Sequence, residues 1–266
     1  MTLPKFTLRQ MIEAGVHFGH HARRWNPKMA PYIYGKKDNV HIIDLQKTYP
    51  MLYTAMATTR EIAAQGGKVL FVATKRQAQD IIKENAERCG QYYVNQRWLG
   101  GMLTNWKTVH KSINRLVKLN EMFEKDDVAG YTKKELQGMK KEQEKLQLEL
   151  GGIMNMGGQP DLVFVIDTCK ELLAIKEAKK LGIPVIGICD TNADPEVVDL
   201  PVPGNDDAIR AIQFYAEMIS ASVLDGMQAQ IAAQGVKVEE MVEGKEEAAK
   251  PAKKKASKKT AEKSEE

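Results

Sequence analysis

Leu162-Val163-Phe164-Val165-Ile166 is an unbroken apolar run, and Thr168 and Glu171 follow it at the spacing of a helix start. A run this short and this rich in branched and aromatic side chains reads as a strand buried on both faces, which a parallel sheet between two layers of helices provides. Two further runs repeat the pattern: Val69-Leu70-Phe71-Val72-Ala73 and Val185-Ile186-Gly187-Ile188. Helical segments at 77–88, 170–181 and 206–230 follow these runs, so strand and helix alternate and the expected class is α/β. Capping-box spacing, a hydroxyl three residues ahead of an amide or carboxylate, occurs at Thr74/Gln77, Thr168/Glu171, Thr7/Gln10 and Thr132/Glu135. A further strand is expected at 40–43 after a turn at 35–38, and a short one at 92–95. The helix between the first two strands, 45–64, ends at Gly66-Gly67. The expectation is a doubly wound parallel sheet of about five strands.

Between 105 and 150 the period changes. Trp106, Val109, Ile113, Leu116 and Phe123 recur at three and four, as do Leu136, Met139, Leu146 and Leu150, with Asn120 and Gln143 in single seam positions. A break at 126–130 lets the two helices fold back as an antiparallel hairpin that projects from the sheet. The expected division is therefore an α/β domain at 1–104 and 152–234, a helical hairpin at 105–151, and a disordered Lys-, Glu- and Ala-rich tail at 235–266.

The length of 266 residues and the 43% hydrophobic and 28% charged content exclude a disordered or fibrous chain, and a core of this size needs no staples. The three cysteines, Cys89, Cys169 and Cys189, are scattered and form no C-x-x-C pair, which argues against a disulfide framework or a zinc ribbon and for a reducing, cytoplasmic setting. No apolar signal core opens the chain and no apolar run is long enough for a membrane helix, so no membrane partner is expected. Net charge is only +4, but it is uneven: +5 over 1–40, +5 over 90–120, where there is no acid at all, and −8 over 156–242. Such a division suggests a polyanion against the basic half, with the acidic half facing solvent or protein.

A doubly wound sheet invites a nucleotide enzyme, and the signatures of one are missing. No G-x-G-x-x-G follows a strand and no G-x-x-x-x-G-K-[ST] occurs; Gly100-Gly101, Gly151-Gly152 and Gly157-Gly158 read as joints. Thr74-Lys75-Arg76 offers a helix start with two cations but no glycine loop. Asp190-Thr191-Asn192-Ala193-Asp194 begins like a calcium loop, then places Pro195 where glycine is required and Pro201 where the bidentate Glu belongs. Asp190, Asp194 or Asp206 with a histidine could bind a metal, against a plain reading as turns and caps. No Ser or Cys sits beside an evident base. The expectation is no catalytic set, no cofactor and no assigned metal site.

Two polar stretches remain, 17–29 (HFGHHARRWNPKM) and 95–107 (NQRWLGGMLTNWK). Both interleave Arg, which grips phosphate through two N–H groups, with Trp, which stacks on bases, and Asn or Gln, which reach ribose and base edges. His17, His20, Arg23, Arg24, Trp25, Lys28, Arg97, Trp98, Asn105 and Lys107 are the expected RNA contacts, although Trp98 and Trp106 could equally pack the root of the hairpin. The strings 15–29 and 96–105, Pro160-Asp161, and Ile183-Pro184-Val185-Ile186 leading to Asp190-Thr191-Asn192 closely resemble the signatures of bacterial small-subunit ribosomal protein two, the S-two family. The resemblance covers roughly 3–230. It implies a flavodoxin-like domain with a projecting hairpin, bound to small-subunit ribosomal RNA and to neighbouring subunit proteins. It also implies a part in bringing the messenger-binding ribosomal protein one onto the subunit, with no DNA partner.

Overall fold

The first strands of the chain do not join the parallel sheet. In a computed structural model, which describes residues 3–125 and 131–233, β1 (Phe18–His21), β2 (Ile33–Lys37) and β3 (Val40–Ile43) form a separate antiparallel sheet in the order β1-β3-β2. The expected place of 40–43 in the main sheet is thus corrected. Asp38 and Asn39 both have positive φ, 50° and 64°, between the paired Lys37 and Val40. That is the two-residue hairpin turn whose twist folds a strand straight back on its neighbour, so β3 pairs locally.

The main sheet contains β4 (Val69–Val72), β5 (Tyr92–Val94), β6 (Leu162–Val165), β7 (Val185–Cys189) and β8 (Leu200–Pro203), all parallel, in the order β5-β4-β6-β7-β8. Counted along the chain this is 2-1-3-4-5, the flavodoxin-like order. The fifth strand carries Pro201 and Pro203, which hide it from a propensity reading and confine it to an edge.

Seven helices complete the described fold: α1 (Leu8–Ala14), α2 (Leu45–Ala64), α3 (Gln79–Arg88), α4 (Trp106–Glu124), α5 (Lys133–Leu150), α6 (Leu172–Lys180) and α7 (Ile209–Ala233). Alternate strand residues enter two apolar clusters. Phe71, Phe164, Ile186 and Val202 join α2, α3 and α7, while Leu70, Val72, Val163 and Val165 join α6 and the root of the hairpin. Each fully buried side chain of this kind contributes about 1.5–3 kcal/mol. The capping boxes of α1 and α5 form as read, at Thr7/Gln10 and Thr132/Glu135.

The hairpin is built from α4 and α5. Leu116 and Leu119 are buried along its length, and the two polar seam residues satisfy each other, Gln143 Nε2 donating to Asn120 Oδ1 at 2.8 Å. Arg115 grips Glu142 with two nitrogens at 3.2 and 3.0 Å. Its root belongs to the core, because Val109, Ile113 and Leu150 sit in the same cluster as Trp98 and Met102. Gly152 then lets the returning chain touch β5, where a Cβ would lie 2.2 Å from the Tyr93 carbonyl oxygen. Deleting 114–145 with a short linker should therefore leave a cooperative melt within a few degrees of the full chain. Deleting 108–148 removes two core side chains as well, at about 2–5 kcal/mol each, and should lower Tm by roughly 10 °C or more in the same calorimetric comparison. Equal Tm values for the two deletions would place the root outside the core.

Candidate nucleic-acid interface

Open α/β sheets bind ligands where the strand order reverses, beyond the carboxyl ends of β4 and β6. Here that crevice holds the protein's own groups. The backbone N–H of Thr74 donates to Glu171 Oε1 at 2.9 Å, its hydroxyl donates to the same oxygen, and Lys170 Nζ donates to the Thr74 carbonyl at 2.9 Å. Thr74 and Glu171, expected as members of two separate capping boxes, thus tie the two strand ends to each other. Lys75 Nζ sits 2.6 Å from Asp207, 3.0 Å from Asp206 and 3.5 Å from Asp167. Asp167 is held at φ 65°, a strained conformation for a residue with a Cβ.

The crevice is sealed further by β1. His20 N–H donates to the Thr191 hydroxyl at 3.0 Å, and Gly19 admits that contact because a Cβ there would lie 2.6 Å from the Thr191 methyl. His20 Nδ1 lies 2.9 Å from the buried Asp190 carboxylate. Its hydrogen bond to Asp190 lifts the imidazole to about 9 against the opposing effect of burial. Burial and the charges of Asp190 and Asp167 push Asp206 up to about 7. Ligand atoms of His20, Asp190 and Asp206 lie within 4.8 Å of one another, a set of one imidazole and two carboxylates that suits a shared proton or a divalent cation. Asp194 stands apart, on Lys28.

The stretch 96–105 is organised around one acid. Glu177 of α6 is buried, and its carboxylate accepts from Trp98 Nε1 (3.2 Å), from the backbone N–H groups of Gly101 (2.8 Å), Leu103 (3.1 Å) and Thr104 (3.1 Å), and from the Thr104 hydroxyl (3.1 Å). Burial pushes this carboxyl up, but the donors more than offset it and hold it below its ordinary value. No local signal announces it, since an acid on an amphipathic helix reads as solvent-facing. Trp98, an expected RNA contact, is only 8% exposed and its indole N–H donates to Glu177. Arg97, Asn105 and Lys107 are exposed around this fixed loop.

In the first stretch Arg23 and Arg24 are exposed on a 3₁₀ turn after β1, and Trp25 is 40% exposed with its ring 5.4 Å from that of His41. Lys28, another expected RNA contact, has its ammonium paired with Asp194 at 2.8 Å and Glu196 at 2.6 Å. His17 is half-buried against Phe18, and burial lowers its imidazole, while His20 reaches into the crevice. The two stretches converge, since Met29 from the first shares one apolar cluster with Trp98, Met102 and Leu103 of the second. The acidity of 156–242 is in good part internal: Glu171, Glu177, Asp190 and Asp206 are buried and Glu196 is paired with Lys28.

A flavodoxin-like sheet whose crevice is tied shut from within, with exposed arginines on two loops, defines a protein of the α/β class. The family described as "Ribosomal protein S2" matches residues 11–226. The small ribosomal subunit protein uS2 of Rhodospirillum rubrum is 62% identical over 238 residues, covering 90% of this chain and 91% of that one. Those of Rhodospirillum centenum and Gluconobacter oxydans are 59% and 61% identical, with 93% and 88% of this chain covered and 95% and 88% of theirs. The chain belongs to the ribosomal protein S2 family: a structural, non-enzymatic component of the small ribosomal subunit, at work in translation on the cytoplasmic ribosome.

Proposed function

We propose that the chain binds small-subunit ribosomal RNA through Arg23, Arg24, Trp25, Arg97, Asn105 and Lys107, and helps bring ribosomal protein one onto the subunit. The observation that carries the RNA reading is the convergence of the two stretches: exposed arginines on both are rooted in one apolar cluster, and the loop behind Arg97 is fixed by Glu177. Arginines held on rigid supports meet phosphate with little ordering left to do. The recruitment half rests on the family resemblance and on no single residue.

The test is competitive assembly. Small subunits are reconstituted from an equimolar mixture of the natural chain and the variant Arg23→Ala/Arg24→Ala/Arg97→Ala, and the ratio in the particles is read by mass spectrometry. Loss of three phosphate contacts should deplete the variant roughly tenfold or more at low salt, and the gap should narrow at higher salt because the variant releases fewer counterions on binding. Equal entry overturns the RNA assignment of this face. Particles assembled without the chain should also lack protein one, and an unchanged protein-one content overturns the recruitment half.

A further inference from the structure

The small antiparallel sheet carries a residue that neither the basic stretches nor the crevice uses. Ile33 of β2 faces Ile43 of β3 and Gly35 faces Ile42, so Tyr34 is the extra residue of a β-bulge and has no partner across the ladder. A bulge re-aims a side chain that regular pairing would lay on one face of the sheet. Tyr34 is 81% exposed, ahead of any other large apolar side chain among the described residues. Next to it the chain is bare, because a Cβ on Gly35 would find no heavy atom within 4 Å.

The surroundings are cationic. Lys36 and Lys37 follow on the same strand, and Lys36 pairs with His41, the residue that backs Trp25. His21, Arg23, Lys36 and Asn39, with the single acid Asp38, line a cleft of about 620 Å³, within the range that takes a small organic ligand. None of Arg23, Arg24, Lys36 and Lys37 lies within 4 Å of a carboxylate among the described residues, unlike Lys28 and Lys75. An accessible aromatic ring beside uncompensated cations is the pairing that holds unpaired nucleotides: the ring stacks on a base while the cations take the flanking phosphates. A duplex hides its base faces and could use only the cations.

We propose that Tyr34 is a base-stacking residue that, with Lys36, Lys37 and Arg23, holds an unpaired nucleotide of RNA. The inference rests on the RNA reading above and names the kind of RNA at this sheet. It predicts a requirement for the ring and not for the hydroxyl.

The same competitive assembly tests it, with Tyr34→Ala, Tyr34→Leu and Tyr34→Phe. Tyr34 is exposed, so all three should melt within about 2 °C of the natural chain. The Ala and Leu variants should be depleted fivefold or more and the Phe variant less than twofold, in line with the energy of one stacked base. Chemical probing of particles carrying Tyr34→Ala should show one unpaired nucleotide newly reactive at its base. Equal entry of Tyr34→Ala overturns the proposal. So does depletion with no change at any nucleotide, which assigns the ring to a protein neighbour, or a change confined to a base-paired segment. If the triple arginine variant is depleted and Tyr34→Ala is not, stacking alone fails; if neither is depleted, the RNA reading falls with it.

Discussion

Glu177→Gln is expected to destabilise the protein by about 3–5 kcal/mol, although it changes one atom type and leaves the volume intact. The carboxylate meets five donors, and the amide can accept only through its oxygen while its NH₂ group faces N–H groups already pointing at it. Buried donors left unmatched each incur their desolvation penalty in full, so the sum falls among the larger single-residue effects. For a chain of this size that is roughly 6–20 °C in Tm by calorimetry. The pH dependence has a definite sign. The folded carboxyl titrates below its ordinary value of 4.5, so its contribution is complete above that value and is lost as pH falls through the folded one. The gap between natural chain and variant should therefore be full at pH 7 and narrow below pH 4.5. Because the loop carries Arg97, incorporation into subunits should fall with stability. A variant that melts within 2 °C of the natural chain at pH 7 would show that Glu177 does not hold the loop.

That acid also shows where reading the chain alone stops. The apolar runs at 69–73, 162–166 and 185–188 announced three strands of the main sheet, because double-sided burial leaves a local signature that no tertiary information is needed to read. The fate of 40–43 was equally local, and it turned on Asp38-Asn39, whose positive φ values make a tight hairpin. Strand 200–203 is masked by its prolines, and only its place at the edge makes them tolerable. For the site, composition singles out two segments but does not say which of their side chains stay exposed. Arg and Trp types can grip RNA or pack a loop, and the choice depends on partners far along the chain: Glu177 takes Trp98 from 79 residues away, and Asp194 takes Lys28 from 166 away. A segment charge of −8 likewise suggests an acidic surface, whereas Glu171, Glu177, Asp190 and Asp206 are turned inward as acceptors and counter-ions.

Lys75→Met should be the second large effect, and its pH profile separates charge from packing. Among the described residues Lys75 is the one ammonium set among Asp167, Asp206 and Asp207, and the Asp206 side chain is only 3% exposed. Methionine keeps the stem and removes the charge, leaving the buried Asp206 carboxylate without its ammonium partner, a change of about 3–5 kcal/mol. Burial together with Asp190 and Asp167 already lifts Asp206 to about 7, far above the 3.8 of an exposed aspartate. A raised carboxyl favours the folded state while protonated, and that advantage is lost as pH rises through the folded value. Without the lysine the folded value rises further, so the loss continues above pH 7 in the variant after it has levelled off in the natural chain. The Tm deficit of Lys75→Met should accordingly be smallest near pH 5 and largest near pH 8. Adding Asp206→Asn should restore much of the loss at pH 8, since removing both members of a buried pair costs less than removing one. A deficit that is flat between pH 5 and 8, or no recovery in the double variant, would mean that Lys75 acts through its packing, and that the crevice is closed by Thr74 and Glu171 and by the insertion of β1 alone.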